Sequence, residues 1–228
     1  MNGLPLSLAG ADLVALSSGA LWWPARHLFC VSDLHLGKSQ RMARRGSGPV
    51  PPYDTADTLA RLAAELQQCA ARTVVCLGDS FDDPQAARAL PETARLCIAG
   101  LQAGRRWIWI EGNHDPGPLN LGGSHLTALT VGPLSFRHIA DPGETAEISG
   151  HYHPKAMLRS HGRSMARPAF LADRDRIILP AFGTYTGGLR SDAPVLDRLM
   201  RPDALAYLTG TTVHAIPMPR QRPGRGSC

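Results

Sequence analysis

The stretch Arg106-Trp107-Ile108-Trp109-Ile110-Glu111-Gly112-Asn113-His114-Asp115 decides how we interpret the chain. Its first half alternates bulky apolar side chains, which is typical of a short buried strand. Its second half places an amide, an imidazole and a carboxylate where that strand ends. Buried polar groups are costly unless they are paired, so this cluster suits a site that binds a metal and moves a proton better than it suits a packed core.

Two further apolar runs, at residues 27–31 and 73–77, also end in polar residues. Between them, apolar residues at helical spacing predict a helix from Asp54 or Thr55 to about residue 70. A second helical pattern runs from Pro84 to about Ala103 and leads into the strand at 106–111. The order strand, helix, strand, helix, strand favours a parallel sheet with right-handed crossovers. Residues 1–26 show no clear period.

Beyond Pro116 the chain changes to short apolar runs separated by Gly and Pro, which predict a second and more antiparallel sheet. A short helix is predicted over residues 192–200. We expect a single domain over residues 1–216 and a basic, disordered tail over residues 217–228. The predicted strands of the second sheet lie at residues 126–131, 133–137, 146–149, 169–171 and 176–180.

Composition favours a soluble, cytoplasmic protein. Five Cys without regular spacing argue for a reducing compartment and against a disulfide framework. No basic residue precedes Arg26, and no apolar run approaches the ~18 residues of a membrane span. The net charge of +5 would suit a polyanionic partner. Only Lys38 and Lys155 are Lys, however, so 22 of the 24 basic residues are Arg, and genomic base composition alone can produce that bias.

Five clusters of acids, Asn and His each follow a predicted strand, and strand ends at one edge of a sheet can converge on a ligand. Taken singly, the Asp33-x-His35 pair and His138 are more typical of a solvated turn or a packed His, and the clusters at Asp79 and at His151 and His153 are as typical of turns or packing as of a site. Together they offer carboxylates, an amide and imidazoles without thiolates, which suits a pair of divalent ions such as Mn²⁺, Fe²⁺ or Zn²⁺. The clusters are Asp33-x-His35, Gly78-Asp79 with Asp82, Asn113-His114-Asp115, His138, and Gly150-His151-x-His153.

This order of motifs resembles the calcineurin-like metallophosphoesterase superfamily, with its D-x-H, GD-xx-D, GNH-D/E, single H and GH-x-H pattern. The resemblance implies an α/β fold in which two mixed β-sheets pack as a sandwich flanked by helices. It also implies two metal ions and seven ligands, with His125 as a rival of His138 for the single-His position. Asp33, His35 and His153 would hold one ion, Asn113, His138 and His151 the other, and Asp79 would bridge them.

Residues 22–24, 34–38, 150–154 and above all 179–189 are similar to the bacterial ligase-associated DNA-damage-response metallophosphoesterases, the MPE family. The resemblance implies a manganese-dependent endonuclease and phosphodiesterase that acts on DNA, single-stranded or damaged, with Fe or Zn as alternative metals. It further implies a functional link to a DNA ligase and a helicase in DNA repair, and no membrane partner. Some relatives carry His where this chain has Asp82, which we expect behind the metal ligands, so the substrate or product preference can differ.

His114 adjoins the expected ligand Asn113 and is the candidate to donate a proton to the leaving oxygen. Asp115 is the candidate to orient the His114 imidazole. Two other functions stay open: a phosphoesterase for a small nucleotide or other phosphate ester, and a non-catalytic metal-binding scaffold.

Residues 38–52 combine basic side chains with Gly and Pro, a composition that resists regular structure, so we expect a basic, mobile loop beside Asp33. Its cations are candidates for contacts with DNA phosphates, and solvated surface positions are the equally weighted alternative. The candidates in the loop are Lys38, Arg41, Arg44 and Arg45, with Arg137, Arg159 and Arg163 as further ones.

Overall fold

The computed structural model describes residues 2–46, 51–117, 120–160 and 163–220, and the statements below concern these residues. Two β-sheets form the centre of the molecule, and helices lie on their outer faces. The side chains of Arg159 and Arg163, which the sequence suggested as DNA contacts, lie outside the described part, as do residues 221–228 of the predicted tail.

The first sheet contains seven strands that are neighbours in space in the order of the chain. Its strands are β1 (Gly3–Leu8), β2 (Ala11–Leu16), β3 (Leu21–Trp23), β4 (Leu28–Ser32), β5 (Thr73–Leu77), β6 (Arg106–Ile110) and β7 (Ser124–Leu126). The strands β4 to β7 are parallel, and β1 to β4 are antiparallel. The parallel block β4, β5 and β6 matches the prediction. The three strands before it occupy residues in which we found no period.

The second sheet has the order β15, β14, β12, β13, β10, β9, β8, with β11 paired to β12 outside this path. Its strands are β8 (Ala128–Val131), β9 (Leu134–Arg137), β10 (Glu147–Ser149), β11 (Lys155–Ser160), β12 (Arg163–Ala172), β13 (Arg176–Ile178), β14 (Leu205–Leu208) and β15 (His214–Pro217). The strand predicted over 126–131 is two strands, because Leu126 ends β7 in the first sheet and Ala128 begins β8 in the second. The pairs of β10 with β9 and β13 are parallel, so the sheet is mixed.

Five α-helices and a short 3-10 helix (Pro24–Arg26) complete the described fold. The α-helices are α1 (Lys38–Arg44), α2 (Asp54–Cys69), α3 (Pro84–Arg88), α4 (Glu92–Gln102) and α5 (Pro194–Leu199). The helix predicted from Pro84 to Ala103 is broken into α3 and α4 at Pro91, which lacks the backbone N–H that an unbroken helix requires. No helix in the described ranges is long and apolar enough to cross a membrane.

We expected a mobile loop over residues 38–52, but residues 38–44 form helix α1, and residues 47–50 lie outside the described part of the chain. The backbone N–H of Ser39 donates to Asp54 Oδ2 over 3.2 Å, and the Ser39 hydroxyl donates to Asp54 Oδ1. The N–H of Gly37 donates to Thr55 Oγ1 over 2.9 Å. A seven-residue helix is marginal by itself. Contacts with the start of α2 therefore stabilise α1, and local sequence does not report them.

Alternation along β4, β5 and β6 divides their side chains between two apolar layers, as expected for strands buried on both faces. One layer lies between the sheets, where Cys30, Leu77 and Ile110 pack near residues of the second sheet such as Phe136 and Ile148. The other layer lies under the helices α2 and α4 and contains Phe29, Val31, Cys76, Trp109, Leu62 and Ile98. A third apolar cluster packs α5 on the second sheet. The molecule is the predicted sandwich of helices, sheet, sheet and helix.

Residues 217–220, which we expected to begin a disordered tail, are part of the folded domain. Strand β15 ends at Pro217, Met218 is only 5% exposed, and the backbone N–H of Met218 donates to the carbonyl of Ala204 over 2.9 Å. The Ser191 hydroxyl donates to the carbonyl of Pro219 over 3.0 Å. The domain therefore extends at least through these residues.

Candidate metal centre

The seven predicted metal ligands lie just beyond the carboxyl ends of five strands. Asp33 and His35 follow β4, Asp79 follows β5, and Asn113 follows β6. On the second sheet, His138 follows β9, and both His151 and His153 follow β10. Parallel strands present their carboxyl ends at one edge, so the two sheets deliver these side chains to a common cleft.

Five of these seven residues have left-handed backbone conformations, which are uncommon for residues other than Gly. Their φ angles are 53° for Asp33, 45° for His35, 44° for Asp79, 69° for His151 and 47° for His153. Such conformations cost about 1 kcal/mol or more each and persist only where surrounding structure enforces them. Their concentration at one edge marks this cleft as the functional site of the fold.

Glycines allow the turns to approach one another closely. A Cβ atom on Gly112 would lie 2.1 Å from the backbone nitrogen of Asp79, and one on Gly150 would lie 1.6 Å from Ser32 Oγ. On Gly78, which has a φ of 67°, a Cβ would lie 2.4 Å from His138 Nδ1. Glycine is required at these positions because a side chain would force the ligand-bearing turns apart.

The first cluster consists of Asp33, His35 and His153, whose candidate ligand atoms all lie within 4.8 Å of one another. His153 Nε2 is 3.2 Å from Asp33 Oδ1 and 3.3 Å from His35 Nε2. Asp33 Oδ2 accepts hydrogen bonds from the N–H of His151, over 2.9 Å, and from the Ser32 hydroxyl. These bonds fix the carboxylate and leave Oδ1 directed at the imidazoles.

The second cluster consists of Asp79, His138 and His151, within the same 4.8 Å limit. His138 Nε2 lies 3.5 Å from Asp79 Oδ2, 3.2 Å from His151 Nδ1 and 3.0 Å from Asn113 Oδ1. His138 Nδ1 faces the carbonyl of Leu77 at 2.9 Å, which places the ring proton on Nδ1 and leaves Nε2 available as a ligand. The rival His125 lies on β7 with its ring stacked against Trp109, outside both clusters.

The chemistry of these side chains fits divalent ions. Asp33 Oδ1 is buried, and no donor among the described residues forms a hydrogen bond with it. A buried anionic oxygen without a partner is costly, and a cation among the imidazoles would satisfy it. Burial would raise the pKa of Asp79, but the hydrogen bond and charge of His138 and the N–H of His114 outweigh burial and lower the pKa to about 2. The Asp79 carboxylate is thus available as an anionic ligand.

The bridging role of Asp79 stays a prediction. The side chain of Asp79 contacts the second cluster and His114. Asp33 Oδ1 reaches both sides, because it lies 3.2 Å from His153 Nε2 and 3.9 Å from His138 Nδ1. Asp33 thus lies where the two clusters adjoin.

Asp115 does not orient His114, contrary to our prediction. Asp115 Oδ2 accepts hydrogen bonds from the N–H groups of Ser80 and Phe81 at 2.8 and 3.1 Å, and Oδ1 accepts one from Gly112 at 3.2 Å. Burial, together with the charge of Asp79, raises the pKa of Asp115 to about 7. Asp115 instead joins the turn after β6 to the turn after β5.

His114 contacts the turn after β5, through Asp79 and Asp82. Its Nδ1 lies 2.8 Å from the carbonyl oxygen of Asp82, and its backbone N–H donates to Asp79 Oδ1 over 2.8 Å. Arg41 Nη1 lies 3.2 Å from the same Nδ1. Because a carbonyl oxygen only accepts, the shorter contact, with Asp82, assigns a proton to Nδ1, and Arg41 donates to Asp82 rather than to this nitrogen. The Nε2 atom lies 4.0 Å from Asp79 Oδ2, and the side chain is 31% exposed, so this nitrogen can reach a bound substrate.

Asp82 lies behind His35, on the side of the ring away from His153. Its Oδ1 is 2.9 Å from His35 Nδ1 and 3.6 Å from Lys38 Nζ, and its Oδ2 accepts from Arg41 over 2.9 Å. Lys38 and Arg41 therefore lie close to the metal centre with their charges partly offset by Asp82. This arrangement links helix α1 to a metal ligand through a single carboxylate.

The other two predicted DNA contacts are arranged differently. Arg44 Nη2 donates to both carboxylate oxygens of Asp83, over 3.0 and 2.7 Å. Arg45 follows α1, is exposed, and forms no ion pair within the described ranges. Residues 38–44 of the predicted basic loop are thus a helix, and ion pairs hold its Lys38, Arg41 and Arg44.

The sequence did not predict the contacts of residues 182–183 with helix α2 and with the turn at Leu34, which lies between the candidate ligands Asp33 and His35. Arg61 of α2 donates to the carbonyl of Phe182 over 2.8 Å and lies over its ring. The following Gly183 packs so closely that a Cβ would lie 2.1 Å from the Leu34 carbonyl. The signal was the Gly-rich stretch of residues 179–189, which shows close backbone approach but does not reveal its partner.

A sandwich that presents Asp, Asn and His from five strand ends to one cleft defines a metal-dependent hydrolase of the phosphoesterase class. The model of the calcineurin-like phosphoesterase family matches residues 27–155, more than half of the chain. The chain belongs to this family. It is similar to the crystal structure of the nuclease MPE of Pseudomonas putida, with 28% identity, a TM-score of 0.76, and coverage of 94% of this chain and 100% of that one. A search of curated proteins found no match.

Proposed function

We propose that this protein is a two-metal phosphodiesterase that cleaves DNA as an endonuclease and acts in DNA repair. The observation that carries the proposal is the pair of adjoining Asp/His clusters with His114 at their edge. The similarity to a structure described as a nuclease supports the choice of substrate. We propose Mn²⁺ as the native metal, with Fe or Zn as alternatives, because mixed carboxylate and imidazole ligands suit these ions.

Two divalent ions bound at this site would lower the pKa of water and offset the charge that builds on the phosphate. The protein's own contribution is to position the substrate and to supply a proton. His114 carries one proton on Nδ1, which the Asp82 carbonyl holds. In the imidazolium form, Nε2 carries a second proton, which it would donate to the leaving oxygen.

Contacts with DNA would involve the cations next to this donor. Lys38 and Arg41 are about one-fifth exposed and adjoin Asp82, and Arg45 is exposed at the end of α1. A DNA phosphate beside the scissile one would meet these charges on the His114 side of the centre. The links to a DNA ligase and a helicase are part of the same proposal and rest on family resemblance.

The decisive assay uses the purified protein with Mn²⁺ on labelled single- and double-stranded DNA. We expect cleavage, and we expect His114→Ala to lower kcat by about 10²–10⁴-fold while both metals are retained, because only a proton donor is removed. His214→Ala is the matched control, since His214 is exposed on β15, away from the clusters. Normal cleavage by His114→Ala, or loss of its metals, would contradict the assigned role.

The same preparation separates the alternatives. Hydrolysis of bis-p-nitrophenyl phosphate without cleavage of either DNA would indicate a phosphoesterase for small esters. Stoichiometric metal without hydrolysis of any ester would indicate a binding scaffold.

A further inference from the structure

A groove opens beside the second cluster, at the point where the chain passes from the first sheet to the second. Its volume is about 540 Å³, within the roughly 300–1,000 Å³ of typical small-molecule sites. Two of its lining residues, Asn113 and His138, belong to the candidate metal centre, so the groove is continuous with it. The other residues of this groove, which we name the Ile139 groove, include Glu111, Pro116, Thr127, Ala128, Arg137 and Ile139.

The walls of the Ile139 groove suit an uncharged, flat group. Ile139 is 45% exposed although it is large and apolar, and Pro116 and Ala128 are exposed nearby. Exposed apolar side chains next to a catalytic centre are typical of a binding surface. Thr127 and Glu111 add polar atoms at the rim that can hydrogen-bond a heterocycle.

The charges around the groove argue against a phosphate. Among the described residues, Arg137 is the one Lys or Arg that lines it. Three acids surround its guanidinium: Glu147 Oε1 at 3.2 Å, Asp141 Oδ2 at 3.5 Å and Glu144 Oε1 at 3.7 Å. Glu111 adds another negative charge. The groove therefore differs from the α1 side of the centre, where cations adjoin His114, and it would repel a second phosphate.

The position of the groove decides which part of a phosphodiester it can hold. The ring of His114 contacts Arg41, Asp82 and His35, none of which lines the groove. If His114 serves the leaving oxygen, the groove lies beside the ester that stays on phosphorus. We propose that the Ile139 groove binds the base and sugar of the nucleoside that remains esterified to the scissile phosphate. This inference rests on the proposed function.

Two substrates with the same leaving group test the groove. Thymidine 5′-(p-nitrophenyl phosphate) and methyl p-nitrophenyl phosphate both release p-nitrophenolate, and they differ only in the retained ester. We expect the wild-type protein with Mn²⁺ to prefer the thymidine ester in kcat/KM by about tenfold or more, mostly through KM, because the base contacts the apolar wall. Hydrolysis of neither ester would refute the proposed function, whereas equal kcat/KM values would overturn the groove alone.

Variants of the groove then test whether the preference for the thymidine ester arises in the Ile139 groove. Ala128→Trp fills the groove from β8, and we expect it to abolish the roughly tenfold ratio of the two kcat/KM values. Leu96→Trp is the matched control, because Leu96 is 63% exposed on α4 and outside the groove, so both rates should stay unchanged. If Ala128→Trp fails to fold, Ile139→Ser decides, with a lower ratio expected. An unchanged ratio in the folded variant would overturn the proposal.

Discussion

The two clusters of candidate ligands differ in the group that contacts Nδ1 of one of their histidines, His35 in the first cluster and His138 in the second. In the first cluster, His35 Nδ1 lies 2.9 Å from the carboxylate of Asp82. In the second, His138 Nδ1 lies 2.9 Å from the backbone carbonyl of Leu77. A carboxylate partner increases the basicity of a ligating imidazole and depends on one replaceable side chain, whereas a carbonyl partner belongs to the sheet itself.

This difference places the two clusters on supports of unequal rigidity. Asp82 also binds Lys38 and Arg41 of α1, a short helix that depends on contacts with α2. Leu77 is fully buried at the end of β5, and Gly78 leaves no space between that turn and the ring of His138. Movement of the surface helix α1 can therefore change the position of the first cluster, while the buried end of β5 fixes the position of the second.

The largest effect should come from Asp79→Ala, which removes the carboxylate proposed to join the clusters. We expect metal content to fall and DNA cleavage to drop by at least about 10³-fold, because a carboxylate ligand and its contact with His138 are both lost. Elemental analysis of the purified protein, together with the cleavage assay, measures both.

Asp12→Ala is the control, because Asp12 is an exposed carboxylate on β2. A fully active Asp79→Ala protein with two metals would remove Asp79 from the centre and leave Asp33 as the carboxylate common to both clusters.

A smaller and one-sided effect is expected from Asp82→Asn. The amide keeps the shape of Asp82 but not its charge, so His35 becomes a weaker ligand and Arg41 loses its ion pair. Metal affinity at the first cluster should fall by about 10–100-fold while the second cluster retains its ion. A Mn²⁺ titration that resolves two binding steps measures this.

Asp83→Asn is the matched control, because it makes the same change at the next residue. Asp83 pairs with Arg44 and caps α3 without contacting a candidate metal ligand, so both binding steps should stay unchanged. Equal weakening of both binding steps in Asp82→Asn would show that the supports of the two clusters are not independent.

The parts of the molecule that the sequence predicted best are those where one signal dominates. Strands β4, β5 and β6 are buried on both faces and read as continuous apolar runs, and their polar ends indicated the edge that holds the site. In β1, Leu4, Leu6 and Leu8 alternate with other residues at the period of a strand. Pro5 and the neighbouring Gly residues obscured that alternation, so we missed the first three strands.

Other features depend on contacts that no local pattern reports. His114 and Asp115 are adjacent in sequence, yet the turn directs Asp115 inward to three backbone N–H groups and His114 outward to Asp82. The directions of these two side chains follow from the backbone angles of the turn, which the spacing of the residues in the sequence does not determine. The family resemblance proposed two groups of ligands, but it did not reveal the supports of His35 and His138. These supports are Asp82, in the turn after β5, and the carbonyl of Leu77, the last residue of β5.

The smallest effect is expected from a substitution that tests whether helix α1, which contacts the first cluster through Asp82, also binds DNA. Arg45 lies at the end of α1 without an acidic partner in the described part of the chain. Arg45→Gln should weaken DNA binding a few-fold and reduce the slope of log K against log salt by about 0.7–0.9, the value of one phosphate contact. Arg106→Gln is the matched control, because Arg106 is exposed at the opposite end of β6. An unchanged slope for Arg45→Gln would mean that α1 supports the first cluster through Asp82 without this contact to the DNA backbone.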